Sequence, residues 1–220
     1  MIAPSSISQT RLKPCYMKFF TFQIKNDYIL NSEVKMKKNF GKQTFMYPMP
    51  VLIITTYDEN GNPDAMNAAW GGIHDTNQIG ICLDKSHKTT ANIAKRRAFT
   101  VSMATADFVK ECDYLGIVSG NKEPDKIKKA GFTVSKSEFV DAPVINELPM
   151  VLECEVAQMS DDSDYIVGNI INVSADESVL TDGKIDAAKL KPICYDPVSH
   201  NYNVLGAIAG KAFSDGKAIK

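Results

Sequence analysis

The alternation of apolar and polar positions predicts β-strands over much of the chain. Residues 50–57 are β-branched and almost wholly apolar, residues 58–63 carry turn-forming side chains, and residues 64–70 follow as a second arm. Residues 78–84 alternate, with two isoleucines and a leucine on one face, as a half-buried strand does. The sequence therefore predicts a hairpin whose second arm runs into a small-residue loop, followed by a third strand.

Helices are predicted between further strands. Residues 89–97 are predicted to form a short helix, with hydroxyl residues available as caps at its start and basic residues at its end. Residues 106–115 and 124–130 are also predicted to be helical, and more strands are predicted at residues 99–103, 150–159 and 165–173. Strands joined by tight turns favour an antiparallel sheet that closes on itself. We expect a mainly β protein with α additions, in which helices pack outside a β-barrel.

Composition and charge narrow the classes of function. The formal net charge is −1, with acidic and basic residues scattered throughout, which gives no reason to expect a nucleic acid or a membrane surface as partner. The five cysteines are far apart and odd in number, so neither a disulfide framework nor a zinc site is indicated. No apolar run approaches the roughly 20 residues that span a bilayer. We expect a soluble, cytoplasmic protein.

Residues 1–35 differ from the rest of the chain. They are rich in turn-forming and basic residues, and Met36 would make an ordinary start. We expect an N-terminal extension at residues 1–35, which is not part of the core, and a single domain at residues 36–220.

The segment Asp84–Thr90 is the best candidate for a ligand site. It lies between a predicted strand and a predicted helix, where unpaired backbone amides, hydroxyl groups and cationic side chains suit a phosphate. The alternative is that Ser86 or Thr89 only caps the helix and that the lysines are solvated. These residues alone leave both interpretations open.

A second candidate lies at Asn67–Gly72. Its small side chains would let a planar ligand approach the backbone, and Asn67 offers both a donor and an acceptor. The same residues could instead be a strand end that carries Trp70 into the core. A phosphate site nearby would favour the ligand interpretation.

Other motifs of catalytic and metal sites are absent from the sequence. His74 and His200 have no ligand partners at metal-binding spacing, and we expect no metal site. The sequence has no G-x-S-x-G, H-E-x-x-H, G-x-G-x-x-G or P-loop motif. Cys82 and Cys154 lie within predicted strands without a nearby basic residue, so we interpret both as buried structural cysteines.

Beyond these single motifs, the chain resembles the flavin reductase-like domain family, which includes the flavoredoxins, from about Phe45 to Gly206. The resemblance is carried by the run P-x-P-V-L-I-I-T-T-Y-D-E-N-G-N-P-D-A-M-N-A-A-W and by the turn that follows at residues 86–89. Further matching pieces follow in order at residues 142–145, 152–154, 164–168 and 202–206. Two positions depart from the family pattern, because His87 stands where arginine is common and Tyr165 where histidine is common.

The resemblance implies an FMN-binding split β-barrel with peripheral helices. In that family FMN is held by two loops, which match residues 67–70 and 85–89. The implied cofactor-binding residues are Asn67, Ala68, Ala69, Trp70, Lys85, Ser86, His87, Lys88 and Thr89. No catalytic side chain is expected, because hydride transfer between stacked rings needs orientation rather than a nucleophile.

Three functions remain open at this point. The first is an FMN-dependent oxidoreductase that passes reducing equivalents from NAD(P)H to a flavin or another acceptor. The second is a flavoredoxin-type electron carrier that is reduced by a protein partner. The third is a module that binds a phosphorylated ligand without redox turnover. The resemblance also implies a homodimer, with a small molecule or a protein as its redox partner.

Overall fold

The computed structural model describes residues 36–219. The chain divides into two units, Met1–Lys42 and Gln43–Lys220. The described part of the first unit, residues 36–42, contains neither helix nor strand. The predicted extension at residues 1–35 lies outside the described residues, so its boundary stays a prediction.

The second unit holds the regular elements. Its strands are β1 (Met49–Pro50), β2 (Leu52–Tyr57), β3 (Pro63–Ala68), β4 (Gly71–Asp75), β5 (Gln78–Cys82), β6 (Ala98–Met103), β7 (Val134–Lys136), β8 (Pro143–Ile145), β9 (Met150–Met159), β10 (Tyr165–Ala175), β11 (Leu180–Thr181), β12 (Lys184–Ile185), β13 (Ile193–Tyr195) and β14 (Tyr202–Val204). Its helices are α1 (Lys88–Arg96), α2 (Val109–Ile117), α3 (Lys126–Lys129) and α4 (Ala187–Leu190), with 3₁₀ turns at Ala106–Phe108, Glu177–Val179 and Asp215–Ala218. None of the described helices has the length and apolarity needed to cross a membrane.

The main sheet is antiparallel and curls into a half-barrel. Its strand order is β3-β2-β6-β9-β10-β5-β4, and each neighbouring pair runs antiparallel. The predicted first hairpin is confirmed, because β2 pairs with β3 from Leu52 opposite Ala68 to Tyr57 opposite Pro63. The predicted long hairpin is confirmed as β9 and β10. The mainly β class with α additions is therefore confirmed, although β4 stands where the sequence predicted a loop.

Strand β2 supplies side chains to two hydrophobic cores, because successive side chains of a strand point to opposite faces. Ile54 belongs to the core on one face of the sheet, together with Ile81 and Phe99. Ile53 belongs to the other core, which also contains Leu115 of α2. Residues on β3 alternate in the same way, and this alternation decides which side of the sheet each candidate site residue faces.

Helix α1 begins at Lys88, within the predicted phosphate segment Asp84–Thr90. Its N-cap residue is His87, whose side chain makes no capping hydrogen bond, and its last turn carries Lys95 and Arg96 as predicted. The predicted hydroxyl cap is wrong, because Thr89 and Thr90 are buried and their hydroxyl groups donate elsewhere. The start of α1 is therefore shaped by the turn before it rather than by a capping side chain.

Candidate functional site

Two cavities flank the segment Asn67–Trp70, one on each side of the strand. Trp70 lines a cavity of about 500 Å³. Asn67 and Ala69 line a smaller one of about 260 Å³. Ala68 is 7 % exposed and packs in the hydrophobic core. The structure therefore separates the four residues that the sequence placed in one loop site.

We call the larger cavity the Trp70 groove, and its walls include Phe45, Met46, Trp70, Gly72, Cys82 and Tyr165. Trp70 is 55 % exposed, so the alternative that it fills the core is wrong. No heavy atom lies within 4 Å of the position that a Cβ would take at Gly72, which leaves this wall open. An apolar cleft of this volume is of the size that small ligands occupy.

Tyr165 forms one wall of the groove and was not predicted as a site residue. Its hydroxyl lies 3.1 Å from Nδ1 of His74, and its ring lies across Gly80. Tyr165 begins β10 and pairs with Cys82 at the end of β5, which explains how it reaches the groove. The sequence signalled this position only through the difference from the family pattern.

Cys82 also lines the groove, and it is half-buried rather than buried as predicted. Its backbone amide donates a 2.8 Å hydrogen bond to the carbonyl oxygen of Trp70. Cys154 is fully buried, as predicted, and burial raises the pKa of its thiol to about 12. Cys82 is therefore the one of these two thiols that a ligand in the groove could touch.

The predicted phosphate turn follows Cys82 within two residues and is held by Asp84. The carboxylate of Asp84 accepts a 2.8 Å hydrogen bond from the amide of Ser86, and hydrogen bonds from Ser86 hold the pKa of Asp84 below its usual value. Its carbonyl oxygen accepts from the amide of His87 at 3.2 Å and from the hydroxyl of Thr90 at 2.8 Å. The turn is thus preorganised, and it leads into helix amides that have no partner within the helix.

The lysines of the turn are already engaged. Lys85 is exposed, and its ammonium group donates to the carbonyl oxygen of Asp161 in the β9–β10 hairpin. Lys88 is half-buried, and its ammonium group lies 3.9 Å from the carboxylate of Asp58. Ser86 and His87 are exposed to solvent. The exposed face of the turn therefore presents Ser86, His87 and the remaining hydrogens of the Lys85 ammonium group to a ligand.

Thr89 faces inward, unlike the exposed residues Ser86 and His87. It is 2 % exposed, and its hydroxyl donates a 2.6 Å hydrogen bond to Oδ2 of Asp64. The sequence grouped Thr89 with the phosphate residues because nothing in it signals a partner 25 residues away on β3. The side chain of Thr89 consequently supports the turn from behind.

The smaller cavity is bordered by polar groups that satisfy one another. Asn67 donates to the carbonyl oxygen of Cys112 at 3.2 Å, and the hydroxyl of Tyr202 donates to Asp113 at 2.7 Å. Burial, and then the Asp113 carboxylate, raise the pKa of Tyr202. Gly116 of α2 packs against Asn67. The sequence placed Asn67 at a ligand, whereas its amide group contacts α2 in the structure.

The Trp70 groove and the turn together suit a flat heterocycle that carries a phosphate. The groove supplies apolar and aromatic walls, with Trp70 available for stacking. The turn supplies a helix start and exposed polar side chains, which favour an anion. Cys82 connects the two, because it lines the groove and ends the strand that leads into the turn. The geometry therefore fits a mononucleotide-like ligand.

Comparisons with known proteins point to one family. The family described as Flavin reductase like domain matches residues 44–195. The chain is 38 % identical to the flavoredoxin of Desulfovibrio vulgaris (Miyazaki F), with a TM-score of 0.79 over 82 % of this chain and 100 % of that chain. It is 30 % identical to a flavoredoxin from Methanosarcina acetivorans, with a TM-score of 0.77 over 84 % of this chain and 100 % of that chain. An uncharacterized protein of Archaeoglobus fulgidus is 29 % identical over 146 residues, which are 64 % of this chain and 80 % of that protein. These similarities confirm the predicted split-barrel fold.

Proposed function

The chain belongs to the flavin reductase like domain family, and from this premise we propose that it is an FMN-binding oxidoreductase. It would pass reducing equivalents from NAD(P)H through bound FMN to a flavin or another acceptor. The observation that carries the proposal is that Cys82, which lines the Trp70 groove and ends β5, is followed two residues later by the start of the phosphate turn. FMN consists of a flat ring system and a single terminal phosphate, so it matches both parts.

The residues of the site would bind and orient the cofactor. Trp70 and Tyr165 would hold the ring between aromatic walls, while the open position at Gly72 leaves room for it. The amides that begin α1, with Lys85 and Ser86, would hold the phosphate. FMN supplies the hydride-transfer and electron-transfer chemistry when it is bound. The apolar groove would limit the access of water to the ring.

Reconstitution with flavins tests this proposal. The purified protein is expected to show an oxidised-flavin absorbance spectrum, either as isolated or after addition of FMN, and FMN is expected to bind more tightly than FAD. Addition of NADH or NADPH under anaerobic conditions should bleach that spectrum. A protein that stays colourless after addition of FMN would contradict the proposal and would favour a module that binds a different phosphorylated ligand.

A variant that fills the groove gives a sharper test. Gly72→Leu places a side chain in open space, so the fold should tolerate it while the ring of FMN is excluded. Gly206→Leu is the matched control, because a Cβ at Gly206 also meets no heavy atom within 4 Å and this residue lies outside the groove. FMN should bind the Gly206 variant normally and the Gly72 variant weakly. Equal binding of FMN by both variants would show that the flavin ring does not lie in the groove.

A second candidate function is electron transfer with a protein as the donor. It is favoured by the 38 % and 30 % identity to the two flavoredoxins. Steady-state oxidation of NADH and NADPH separates the two candidates, since an electron carrier of this kind would hold FMN and still oxidise neither nicotinamide. Fast nicotinamide oxidation with added FMN as acceptor would favour the oxidoreductase.

The homodimer implied by the family resemblance remains a prediction. Exposed apolar side chains around the groove support it, namely Met46, Trp70 and Ile73. A second copy that covered them would remove this apolar surface from water. Measurement of the molar mass by light scattering is the direct test.

A further inference from the structure

A buried carboxylate lies directly behind the phosphate turn. Asp64 on β3 is 1 % exposed, and its Oδ2 accepts the 2.6 Å hydrogen bond from Thr89, the second residue of α1. Its other oxygen, Oδ1, is buried and has no hydrogen-bond partner. Burial of an unpaired charged oxygen is costly, so its presence in a folded protein calls for an explanation.

The hydrogen bond fixes what Thr89 can offer to a ligand. A hydroxyl group has one hydrogen to donate, and Thr89 donates it to Asp64. Only the lone pairs of that hydroxyl are left for a group approaching the start of α1. Thr89 therefore cannot donate to a phosphate oxygen while it holds Asp64.

The charges around Asp64 balance one another. A Cβ at Gly120 would collide with Oδ1 of Asp64 and lie 3.1 Å from Cδ of Lys88, so these two side chains pack side by side. The Lys88 ammonium group lies 3.9 Å from Asp58. Burial lowers the pKa of Lys126. The Asp64 carboxylate raises that pKa, and the Lys88 ammonium group lowers it further. Two lysines thus face two aspartates, and the cluster leaves no net positive charge for a phosphate.

We propose that Asp64 is a specificity-determining residue that lowers the affinity for the flavin phosphate and so keeps FMN exchangeable. This inference rests on the proposed function, because the phosphate is the group that the turn would bind. The start of α1 attracts an anion. The carboxylate of Asp64, which is hydrogen-bonded to the second residue of α1, repels that anion. The ring of the flavin lies in the groove and would not feel this repulsion to the same extent.

Titration with two flavins tests the inference. FMN and riboflavin are titrated separately into the flavin-free full-length protein and into Asp64→Asn, with quenching of flavin fluorescence as the readout. Removal of the charge is expected to raise the affinity for FMN by about tenfold. The affinity for riboflavin, which lacks the phosphate, should stay within about twofold of the parent value, since no charge of the ligand is near residue 64.

Asp141→Asn is the matched control. The carboxylate of Asp141 lies 3.3 Å from the guanidinium group of Arg96, which is the last residue of α1. Arg96 is ~12 Å along the helix from Lys88. This substitution removes the same charge from the protein as a whole. It should leave the ratio of FMN to riboflavin affinity unchanged, because the charge lies about one Debye length from the turn.

A second variant tests the same inference if Asp64→Asn folds poorly. The double variant Asp64→Ala with Thr89→Val removes the acceptor and the donor together, so no buried polar group is left unpaired. It should also raise the ratio of FMN to riboflavin affinity. If the parent prefers FMN and both variants keep the parental ratio, the inference is overturned while the proposed function stands. A parent that binds neither flavin would overturn both.

Discussion

The phenol ring of Tyr165 lies across the backbone of Gly80, in the space that any larger residue at position 80 would fill. Gly80 lies in β5 opposite Val167 of β10, two residues from Tyr165. The absence of a side chain at Gly80 therefore leaves room for the phenol of Tyr165, which forms a wall of the Trp70 groove with its hydroxyl beside His74.

Gly80→Ala is expected to displace Tyr165 and weaken flavin binding. The added methyl group would force the phenol outward, which loses the contact with His74 and part of the groove wall. We expect FMN and riboflavin to lose about 1 kcal/mol each, since stacking on an aromatic side chain is worth about that much. Gly206→Ala is the control, because a methyl group there meets no atom within 4 Å and Gly206 lies outside the groove. If Gly80→Ala weakens flavin binding equally in a Tyr165→Ala background, displacement of Tyr165 is not the cause of the loss.

Reactivity of the thiols is expected to report on the groove. Burial raises the pKa of Cys112 and of Cys154 to about 12, so neither should be alkylated in the folded protein at pH 8. Cys82 is half-buried in the groove wall and should react with iodoacetamide, and FMN should slow that reaction. Peptide mapping by mass spectrometry measures each site separately. Equal labelling of Cys82 with and without FMN would place the cofactor elsewhere.

The sequence predicted elements well where local patterns decide the structure. The hairpin of β2 and β3, the strand β5 and the helix α1 follow from apolar alternation and turn residues within short windows. Short strands such as β11 and β13 were missed, because two or three residues carry no detectable period. Their pairing depends on partners elsewhere in the chain.

The candidate site was only partly predictable, for a related reason. The turn at Asp84–Thr90 has a local signature, and the structure places it at the start of α1. The segment Asn67–Trp70 also has one, but strand alternation sends Asn67 and Trp70 to different cavities. The inward orientation of Thr89 depends on Asp64, a contact between distant positions that no window of sequence contains.

Lys126 is expected to stabilise the end of α2. Its buried ammonium group donates to the carbonyl oxygens of Leu115 at 3.1 Å and Val118 at 3.0 Å. Lys126→Met keeps the length of the side chain and leaves both carbonyl groups unpaired, so the free energy of unfolding should fall by about 1 to 3 kcal/mol. Lys128→Met, on the exposed face of α3, should change it little. Urea denaturation measures both variants.

The same lysine should impose a pH dependence on stability. In the folded protein, burial lowers the pKa of Lys126 below its ordinary value of 10.5. Between the lowered value and 10.5, the unfolded chain therefore binds more protons than the folded protein does. Stability should therefore rise with pH across this window. The rise should be missing in Lys126→Met and present in Lys128→Met. If the stability of the parent and that of Lys126→Met depend on pH in the same way, burial does not lower the pKa of Lys126.

Ile73 is expected to report on the proposed homodimer. It is an exposed apolar residue in the groove wall, and Ile73→Asp would place a charge in an interface between two copies. We expect this variant to shift the protein towards monomers in light scattering at equal concentration. Ile219→Asp, at an exposed apolar residue outside the groove, should not. A parent protein that is monomeric at high concentration would refute the dimer directly.

Thr89 gives the last prediction, and the sequence and the structure disagree about its outcome. The sequence places its hydroxyl on the flavin phosphate, so removal of the hydroxyl would weaken FMN and spare riboflavin. The structure places the hydroxyl on the buried Asp64, so Thr89→Val should instead lower the free energy of unfolding by about 1 to 3 kcal/mol, because it leaves the carboxylate without a partner.

Thr89→Ser separates the two accounts further, since it keeps the hydroxyl and loses only a methyl group. Its stability should stay closer to that of the parent than that of Thr89→Val does, and neither variant should lose FMN affinity selectively. Thermal or urea unfolding gives the stability, and parallel titrations with FMN and riboflavin give the affinity ratio. If Thr89→Val loses FMN affinity and keeps both its riboflavin affinity and its stability, the hydroxyl leaves Asp64 when the cofactor binds and donates to the phosphate, and the structural assignment of Thr89 is wrong.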